Sequence, residues 1–364
     1  MLSIRRGDRG EEVRDVQRRL LAAGTRIEPD ELEGTFGAST EAAVRVFQEL
    51  RGLPADGIVG TDTWGQLVEA GYRIGDRTLY LRSPAFRGDD VRELQRMLNA
   101  LGFDAGKEDG IFGRMTTRGV MEFQRNVGEP ADGIVGLDTV RSLERMRPTL
   151  GGPSRAMVRE AEAARSMGAA LPASVIAVDP GHGPSDPGVV VGGIVEAEIA
   201  WEVASRLVAE LERRGARTIR LREEGSDPDA GRRAARANAG EATICVSIHL
   251  GTGQAVPAGV SCCHYGTPTT HSPMGRGLAG CILGELVRSL GLLDGGVRPL
   301  AIAILRETRM PAVQVELAVP SNPAEASLLT VPSFPDRAAI AIADGIERFL
   351  GAATEAPVSD AITA

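Results

Sequence analysis

Long apolar runs are missing from this sequence. No stretch of its 364 residues approaches the about 18 uninterrupted apolar residues that a membrane-spanning helix needs. The first thirty residues are rich in arginine, aspartate and glutamate, and their longest apolar run covers only residues 20–23, which is not the pattern of a signal peptide. We therefore predict a protein with no transmembrane segment and, from the missing signal peptide, a cytoplasmic location.

Basic residues are fewer than acidic ones, 41 lysines and arginines against 49 aspartates and glutamates. The formal net charge is −8 and the isoelectric point is near 5.3. Proteins that bind nucleic acids present a basic face, so we expect no nucleic-acid partner. An acidic protein can still bind a saccharide or peptide polymer.

Cysteine is scarce. The four cysteines all lie in the last third of the chain, and none forms a C-x-x-C pair with a matching second pair: Cys245, Cys262, Cys263 and Cys281. We interpret them as free buried thiols in a reducing compartment rather than as disulfides.

The first 150 residues contain an internal repeat. The hexapeptide Ala-Asp-Gly-Ile-Val-Gly at 55–60 returns unchanged at 131–136. Four further positions recur at a constant spacing, with Val13, Gln17, Leu20 and Gly24 returning as Val91, Gln95, Leu98 and Gly102. A chain of this length suggests roughly two to three domains, and the repeat supplies two small ones.

Each copy of the repeat has the pattern of a small three-helix unit. Apolar residues at helical spacing form two segments, which stop at Gly24 and near Gly52 in the first copy. We expect a third helix to begin at Thr61 or Asp62, with the side chain as its cap, and likewise at Asp138 in the second copy. The phenylalanines are expected in the core and two glutamines as internal hydrogen-bonding groups: Phe36, Phe47, Phe112, Phe123, Gln17 and Gln95.

The repeats resemble the peptidoglycan-binding type 1 domain. The family opens with Gly-Asp-x-Gly-x-x-Val-x-x-Leu-Gln and continues with Asp-Gly-x-Phe-Gly and Asp-Gly-x-Val-Gly. The copies match through Gly7-Asp8-Arg9-Gly10 and Gly88-Asp89-Asp90-Val91, although the first has Glu33-Gly34 where the second has Asp109-Gly110. The resemblance implies two wall-binding repeats, at 1–72 and 80–147, whose partner is peptidoglycan or a muropeptide.

A second, larger domain follows a linker. Residues 148–174 are broken by proline and glycine and contain one candidate exposed helix, Arg155–Met167. From 175 to 351 strands and helices alternate, which predicts an α/β domain with a mainly parallel sheet. The expected strands are Val175–Asp179, Thr218–Leu221, Thr243–His249, Val260–His264 and Ala312–Val319, and the expected helices are Glu196–Arg214, Asp229–Asn238, Gly277–Leu290 and Arg337–Leu350. Residues 352–364 read as a loose tail.

The predicted fold is therefore multidomain, with two small three-helix all-α repeats followed by an α/β domain whose mainly parallel sheet is flanked by helices. The four histidines of the chain all lie in the second domain. His182 follows the first strand and His249 ends another, so both belong to the carboxyl ends of strands, where open α/β sheets bind ligands. By strand alternation Cys245, Ser247 and His249 share one face, as do Gln314 and Glu316.

Two histidines and a carboxylate can hold a zinc ion and leave a fourth position for water, as a hydrolytic site requires. Glu196, at the start of a helix a short loop after His182, is the natural third ligand. Each residue also has an ordinary structural explanation: a turn histidine for His182, a carboxylate favoured by the helix dipole for Glu196, a core histidine for His249 and a buried salt-bridge partner for Glu316.

These segments resemble the zinc-dependent N-acetylmuramoyl-L-alanine amidase family (amidase 3). The family signature appears as Asp-Pro-Gly-His-Gly at 179–183, a glutamate at 196, Ser-Ile-His at 247–249 and Pro-Ala-Val-Gln-Val-Glu at 311–316, with further matches at 233–238 and 305–306. The resemblance implies one zinc ion per chain bound by His182, Glu196 and His249, with Glu316 as the catalytic carboxylate. The bond cut would join the muramic acid lactyl group to L-alanine. His264 and His271 have no motif match, and His264 is a candidate to line the cleft.

Some positions depart from the family pattern. Ala197 stands where a lysine is usual, and His249 is followed by Leu250-Gly251 rather than Ala-Asn. A substrate in the wall would require export by an unrecognised route to an extracytoplasmic location. The alternative function is that of a weakly active or inactive amidase-like intracellular regulator of cell-wall synthesis, which binds peptidoglycan precursors or a regulatory protein partner.

Overall fold

The computed structural model describes residues 3–146, 170–252, 258–267 and 270–355. The chain divides into two compact units, Met1–Glu160 and Ala161–Ala364. The first is helical and the second is an α/β domain with a mainly parallel sheet, so the predicted fold class is confirmed. The helix predicted at Arg155–Met167 lies outside the described residues. Within the described ranges, no helix combines the length and apolar character needed to cross a membrane.

Each repeat of the first unit forms three helices, as predicted. They are α1 Glu11–Ala22, α2 Ala38–Arg51 and α3 Thr61–Glu69, then α4 Asp89–Ala100, α5 Arg114–Val127 and α6 Leu137–Arg145. Their apolar faces pack into one core per repeat, because residues at helical spacing lie on the same side of each helix. The predicted core residues Phe36, Phe47, Phe112 and Phe123 are at most 1% exposed.

The third helix of each repeat begins close to its predicted start but has a different capping residue. Gly60 precedes α3, and Gly136 precedes α6. A glycine has no side chain to bond the first backbone N–H groups, so the prediction of a capping side chain at Thr61 or Asp62, and at Asp138, is wrong.

A buried glutamine fixes each Asp-Gly loop of the repeats. Gln95 Nε2 donates to Asp109 Oδ1 at 2.9 Å, to the carbonyl of Ile111 at 3.1 Å and to Thr116 Oγ1 at 3.1 Å. Its Oε1 accepts from the N–H of Gly110 at 2.8 Å, so every polar atom of this amide is bonded. The same set of contacts surrounds Gln48 and Gln124.

The first loop of the chain is built differently, because Glu33-Gly34 replaces Asp-Gly. Gln17 Nε2 still donates to three acceptors, but no described residue donates to its buried Oε1. The carboxylate of Glu31 instead accepts from the N–H groups of Ser39 and Thr40 at the start of α2. Burial alone would raise the pKa of Glu31, but these bonds lower it to about 2.

Because of this difference, we expect the same substitution at Gln95 and at Gln17 to lower the free energy of unfolding by different amounts. Gln95→Met leaves the buried N–H of Gly110 without its acceptor, which costs about 1–3 kcal/mol beyond the lost packing. Gln17→Met leaves no backbone N–H without its acceptor, so we expect a smaller loss of the free energy of unfolding. Urea denaturation of both variants measures the difference, and equal losses would contradict this account of the loops.

The second unit is built on a seven-stranded sheet. The strands of this unit are β1 Val175–Pro180, β2 Val190–Val191, β3 Ile194–Val195, β4 Arg217–Arg220, β5 Ile244–His249, β6 Val260–Thr267, β7 Thr270–His271, β8 Asp294–Leu300 and β9 Ala312–Glu316, and β2 and β3 form a separate hairpin. The order of the sheet is β4-β1-β5-β9-β6-β7, and β8 also pairs with β6. The β1/β4, β1/β5, β5/β9 and β6/β8 pairs are parallel, whereas β6 is antiparallel to β9 and β7.

Helices cover both faces of this sheet. They are α7 Glu196–Arg213, α8 Ala230–Ala239, α9 Pro273–Leu290, α10 Ala303–Glu307, α11 Pro323–Leu329 and α12 Phe334–Glu355. Helices α7, α9 and α12 pack on the face that carries Val178, Val246 and Val315, while α8 and α10 cover the face of Ala177 and Cys245. The predicted alternation along β5 is confirmed, because its two sets of side chains enter different cores.

Several elements were not predicted. Strand β8 reads Asp-Gly-Gly-Val-Arg-Pro-Leu, and glycine and proline are depleted in strands, so its composition gives no strand signal. The hairpin of β2 and β3 and the short helices α10 and α11 were also missed. Helix α12 begins earlier than the predicted Arg337 and runs to Glu355, into the segment interpreted as a tail.

Candidate metal centre

Three chain segments meet at the carboxyl edge of strands β1 and β5. His182 lies two residues beyond β1, His249 is the last residue of β5, and Glu196 is the first residue of α7. The strands lie side by side in parallel, with Pro180 in register with Ile248, so their ends present both histidines at one edge. The structure thus brings the three predicted ligand residues together.

Glu196 lies at the centre of this triad. Its Oε1 is 2.9 Å from His249 Nδ1 and 3.1 Å from His182 Nε2. Oε1 also accepts from the N–H of Leu250 at 3.0 Å, and Oε2 accepts from the N–H of Val189 at 2.8 Å. Only 2% of Glu196 is exposed, so the carboxylate has a fixed position.

A second carboxylate orients His182. Its Nδ1 is 2.9 Å from Asp186 Oδ2. When Nδ1 donates to a carboxylate, the lone pair of Nε2 is left available for a metal ion, an arrangement common around metal-binding histidines. The backbone of His182 has φ of 57°, a left-handed conformation uncommon outside glycine, and it aims the ring at Glu196.

The electrostatics of the triad favour a positive charge. Burial lowers the pKa of His182, but the carboxylates of Glu196 and Asp186 more than offset this and raise it to about 9. Burial alone would raise the pKa of Glu196, but hydrogen bonds with both histidines hold it well below its usual range. In the absence of a metal, a proton on a histidine therefore balances the carboxylates.

Two glycines allow the backbone to approach the triad closely. A Cβ atom at Gly188, which has φ of 69°, would lie 2.5 Å from Glu196 Oε2 and 2.7 Å from His182 Cδ2. A Cβ atom at Gly181 would lie 2.5 Å from His249 Cε1. Any larger residue at either position would displace a triad side chain.

A buried arginine holds the turn that carries His182. Arg233 Nη1 donates to Asp179 Oδ1 at 3.0 Å and to the carbonyl of Pro180 at 2.6 Å, while Nη2 donates to the carbonyl of His182 at 2.7 Å. Asp179 Oδ2 accepts from Ser247 Oγ at 2.6 Å, which ties the turn to β5 as well. The side chains of Arg233 and Asp179 are 7% and 3% exposed.

Glu316 is the last residue of β9 and is in register with His249 on the neighbouring strand β5. Its Oε2 accepts from Ser261 Oγ and from Arg298 Nη2, both at 2.6 Å, and Cys263 Sγ is 3.9 Å from Oε1. The predicted catalytic carboxylate is thus next to one predicted ligand, His249, in the sheet, and it forms an ion pair with Arg298.

The donor set of the triad fits a metal ion. Each residue offers one ligand atom, and these atoms lie within 4.8 Å of one another. A tetrahedral zinc ion with bonds of about 2.0–2.2 Å sets its ligand atoms roughly 3.3–3.5 Å apart, so small side-chain adjustments suffice. His182, Glu196 and His249 form a possible metal site.

Some residues of the centre had no role in the sequence prediction. Asp186 and Arg298 were not singled out, and Arg233 was noted only as part of a motif match. His264 is 4% exposed, and its Nδ1 bonds the carbonyl of Tyr265. Burial lowers the pKa of His264.

Comparisons with known proteins agree with both parts of the chain. Residues 176–348 match the family model described as N-acetylmuramoyl-L-alanine amidase, and residues 9–67 and 87–143 match that of a peptidoglycan binding domain. The chain is 39% identical over 359 residues to the N-acetylmuramoyl-L-alanine amidase CwlM of Mycobacterium tuberculosis, which covers 94% of this chain and 87% of that protein.

Two further matches concern the second unit. The chain is 32% identical over 170 residues to the N-acetylmuramoyl-L-alanine amidase LytC of Bacillus subtilis, covering 47% of this chain and 34% of that protein. Among solved structures it is similar to the N-acetylmuramoyl-L-alanine amidase from Clostridium difficile 630, with a TM-score of 0.46, 23% identity and coverage of 49% of this chain and 96% of that one.

Proposed function

This chain belongs to the N-acetylmuramoyl-L-alanine amidase family, and from that premise we propose that it hydrolyses the amide bond between the lactyl group of N-acetylmuramic acid and L-alanine in peptidoglycan. The observation that carries the proposal is the convergence of His182, Glu196 and His249 on one point at the carboxyl edge of the sheet. Two histidines and one carboxylate form a hydrolytic rather than a structural zinc set.

In this proposal His182, Glu196 and His249 hold one zinc ion per chain. Zinc bound there would polarise the amide carbonyl and activate a water molecule. The chain's own residues hold the proposed ligands in place. Asp186 orients the ring of His182. The backbone N–H groups of Val189 and Leu250 donate to the carboxylate of Glu196. This second layer of contacts keeps the ligand atoms in place.

Glu316 is proposed as the general base and then the general acid. Its carboxylate takes a proton from the attacking water as the oxygen bonds to the amide carbon. It returns that proton to the nitrogen as the carbon–nitrogen bond breaks, so the products are a carboxylic acid and a free amine. Its register position beside His249 supports this role.

We assign polymer binding to the repeats at 1–72 and 80–147 and hydrolysis to the domain at 175–351. The matches of 9–67 and 87–143 to a peptidoglycan-binding family support this division. Modules that bind the polymer would raise the local concentration of the substrate bonds near a linked hydrolase. Peptidoglycan or a soluble muropeptide is accordingly the proposed partner.

A direct assay tests the proposal. The protein is loaded with stoichiometric zinc and incubated with peptidoglycan or a muramoyl-peptide, and the release of L-alanine amino termini is followed. We expect Glu316→Ala to lower the rate by about 10²–10⁴-fold with the zinc retained, because only proton transfer is lost. Glu347→Ala, which removes an exposed carboxylate on α12, serves as the control. No release above Glu316→Ala at full zinc content would refute the proposal.

A second candidate function is binding without turnover, in which an amidase-like regulator recognises peptidoglycan precursors or a protein partner. One observation favours it: the carboxylate of Glu316 is already bonded by Arg298 and Ser261. The same assay separates the two candidates when it is combined with a binding measurement on the zinc-loaded protein. Muropeptide binding with no product would select the regulator, and product above the Glu316→Ala level would exclude it.

A further inference from the structure

Glu316 is held by a side chain that the proposed mechanism does not use. Arg298, on β8, donates from Nη2 to Glu316 Oε2 at 2.6 Å and to Ser261 Oγ at 3.1 Å. We propose that Arg298 is a positioning residue that keeps Glu316 in a resting position and thereby restrains hydrolysis. This inference rests on the proposed role of Glu316 as the proton-transferring carboxylate.

The order of the strands shows towards which side the carboxylate of Glu316 points in its resting position. Strand β9 lies between β5 and β6, so Glu316 has His249 on one side and Ser261 on the other. Within the described part of the chain, the side-chain partners of Glu316 belong to β6 and β8. The carboxylate is therefore turned away from the strand that contributes His249 to the metal centre.

Oε2 of Glu316 is occupied in this position. Oε2 already receives two donors, and one of them is a charged guanidinium, which makes the stronger type of hydrogen bond. The side chains of Arg298 and Glu316 are only 24% and 16% exposed, so water competes weakly for this bond. Proton transfer at the metal centre would require the ion pair to open first, and the free energy of opening adds to the barrier.

The way in which Arg298 binds makes the ion pair releasable. Both hydrogen bonds that Arg298 makes to described residues come from one nitrogen, Nη2, and not from the two-nitrogen fork that gives the firmest arginine–carboxylate pairs. Its buried Nε has no partner among the described residues. Arg298 therefore restrains Glu316 through a single contact, which a movement of either side chain can break.

The kinetic test is Arg298→Gln in the zinc-loaded protein. We expect kcat to rise by roughly tenfold or more, the factor that corresponds to one charge-assisted hydrogen bond, with KM little changed. Arg298→Lys keeps the charge but loses the planar geometry of the guanidinium, so its kcat should lie between those of the wild type and Arg298→Gln. Ser261→Ala, which leaves Arg298 in place, should give a smaller rise. Arg206→Gln breaks the exposed pair with Asp336 and serves as the control with no expected change.

The outcomes separate this inference from the proposed function. A wild-type protein that hydrolyses, with an Arg298→Gln variant that is equally active or slower at full zinc content, would overturn the restraint and give Arg298 a role in binding or catalysis. Hydrolysis by both proteins, at least roughly tenfold faster in the variant, would support both proposals. Hydrolysis by the variant alone would support the restraint and refute turnover by the unmodified protein. If neither protein hydrolyses, the proposed function fails.

A thermal measurement tests the ion pair without any turnover. Glu316→Gln should lower the melting temperature of the wild-type protein but not that of the Arg298→Gln variant, because the second substitution has no pair left to break. Additive shifts in the double variant would show that the two side chains are not coupled, and the restraint would then be overturned whatever the activity of the protein.

Discussion

Glu196→Ala will purify without bound zinc and without amidase activity. The substitution removes the one oxygen that lies 2.9 Å and 3.1 Å from the two histidines, and with it the negative charge at the centre of the triad. Loss of an outer partner of a zinc ligand already lowers metal affinity by about 10–100-fold, so loss of a ligand itself should exceed that range. Zinc content after dialysis, measured by atomic absorption, gives the result.

Two further variants separate the metal from the fold. Glu198→Ala removes an exposed carboxylate from the same turn of α7 and should keep both zinc and activity. Glu196→Gln keeps the shape and an acceptor oxygen for the N–H of Leu250, so it should remain closer to wild type in stability while still losing zinc. A Glu196→Ala protein that is folded and holds one zinc per chain would show that the ligands lie elsewhere.

The sequence could predict that His182, Glu196 and His249 converge because each stands at a recognisable boundary. His182 and His249 end apolar strands, and Glu196 starts an amphipathic helix. The carboxyl ends of parallel strands meet at one edge of a sheet, so the positions of these residues in the sequence predicted that they lie close together. The three-helix repeats were predictable for a similar reason, because helical spacing and glycine stops are local signals.

The contacts around Glu316 could not be predicted from the sequence in the same way. Arg298 lies 18 residues from Glu316 in the chain and reaches it only because β8 pairs with β6, which pairs with β9. That pairing brings together residues with no common sequence pattern, and β8 itself does not have the composition of a strand. The resting state of Glu316 is therefore a property of the tertiary structure.

The conformation of His182 was equally hidden. Sequence placed a histidine in a turn after β1, but not the left-handed backbone that aims its ring. That conformation costs of order 1–3 kcal/mol for a residue with a side chain and persists only where surrounding contacts impose it. One contact on this turn is the bond from Arg233 to the carbonyl of His182.

Arg233→Ala should therefore weaken both the fold and the metal centre. The substitution leaves Asp179 as a buried carboxylate without its cation, and breaking a buried pair in this way costs about 3–5 kcal/mol of the free energy of unfolding. It also frees the turn of His182, so zinc affinity should fall by about 10–100-fold, as expected for a lost supporting contact. Urea denaturation and zinc competition titrations measure the two effects.

Arg232→Ala is the matched control, because Arg232 is the preceding residue of the same helix and is 81% exposed. It should leave stability and zinc affinity within experimental error of wild type. Arg233→Lys restores the charge but cannot reach Asp179 and the carbonyls of Pro180 and His182 together, so stability should recover more than zinc affinity. If Arg233→Ala is as stable as Arg232→Ala and binds zinc equally well, the turn of His182 is held by other contacts.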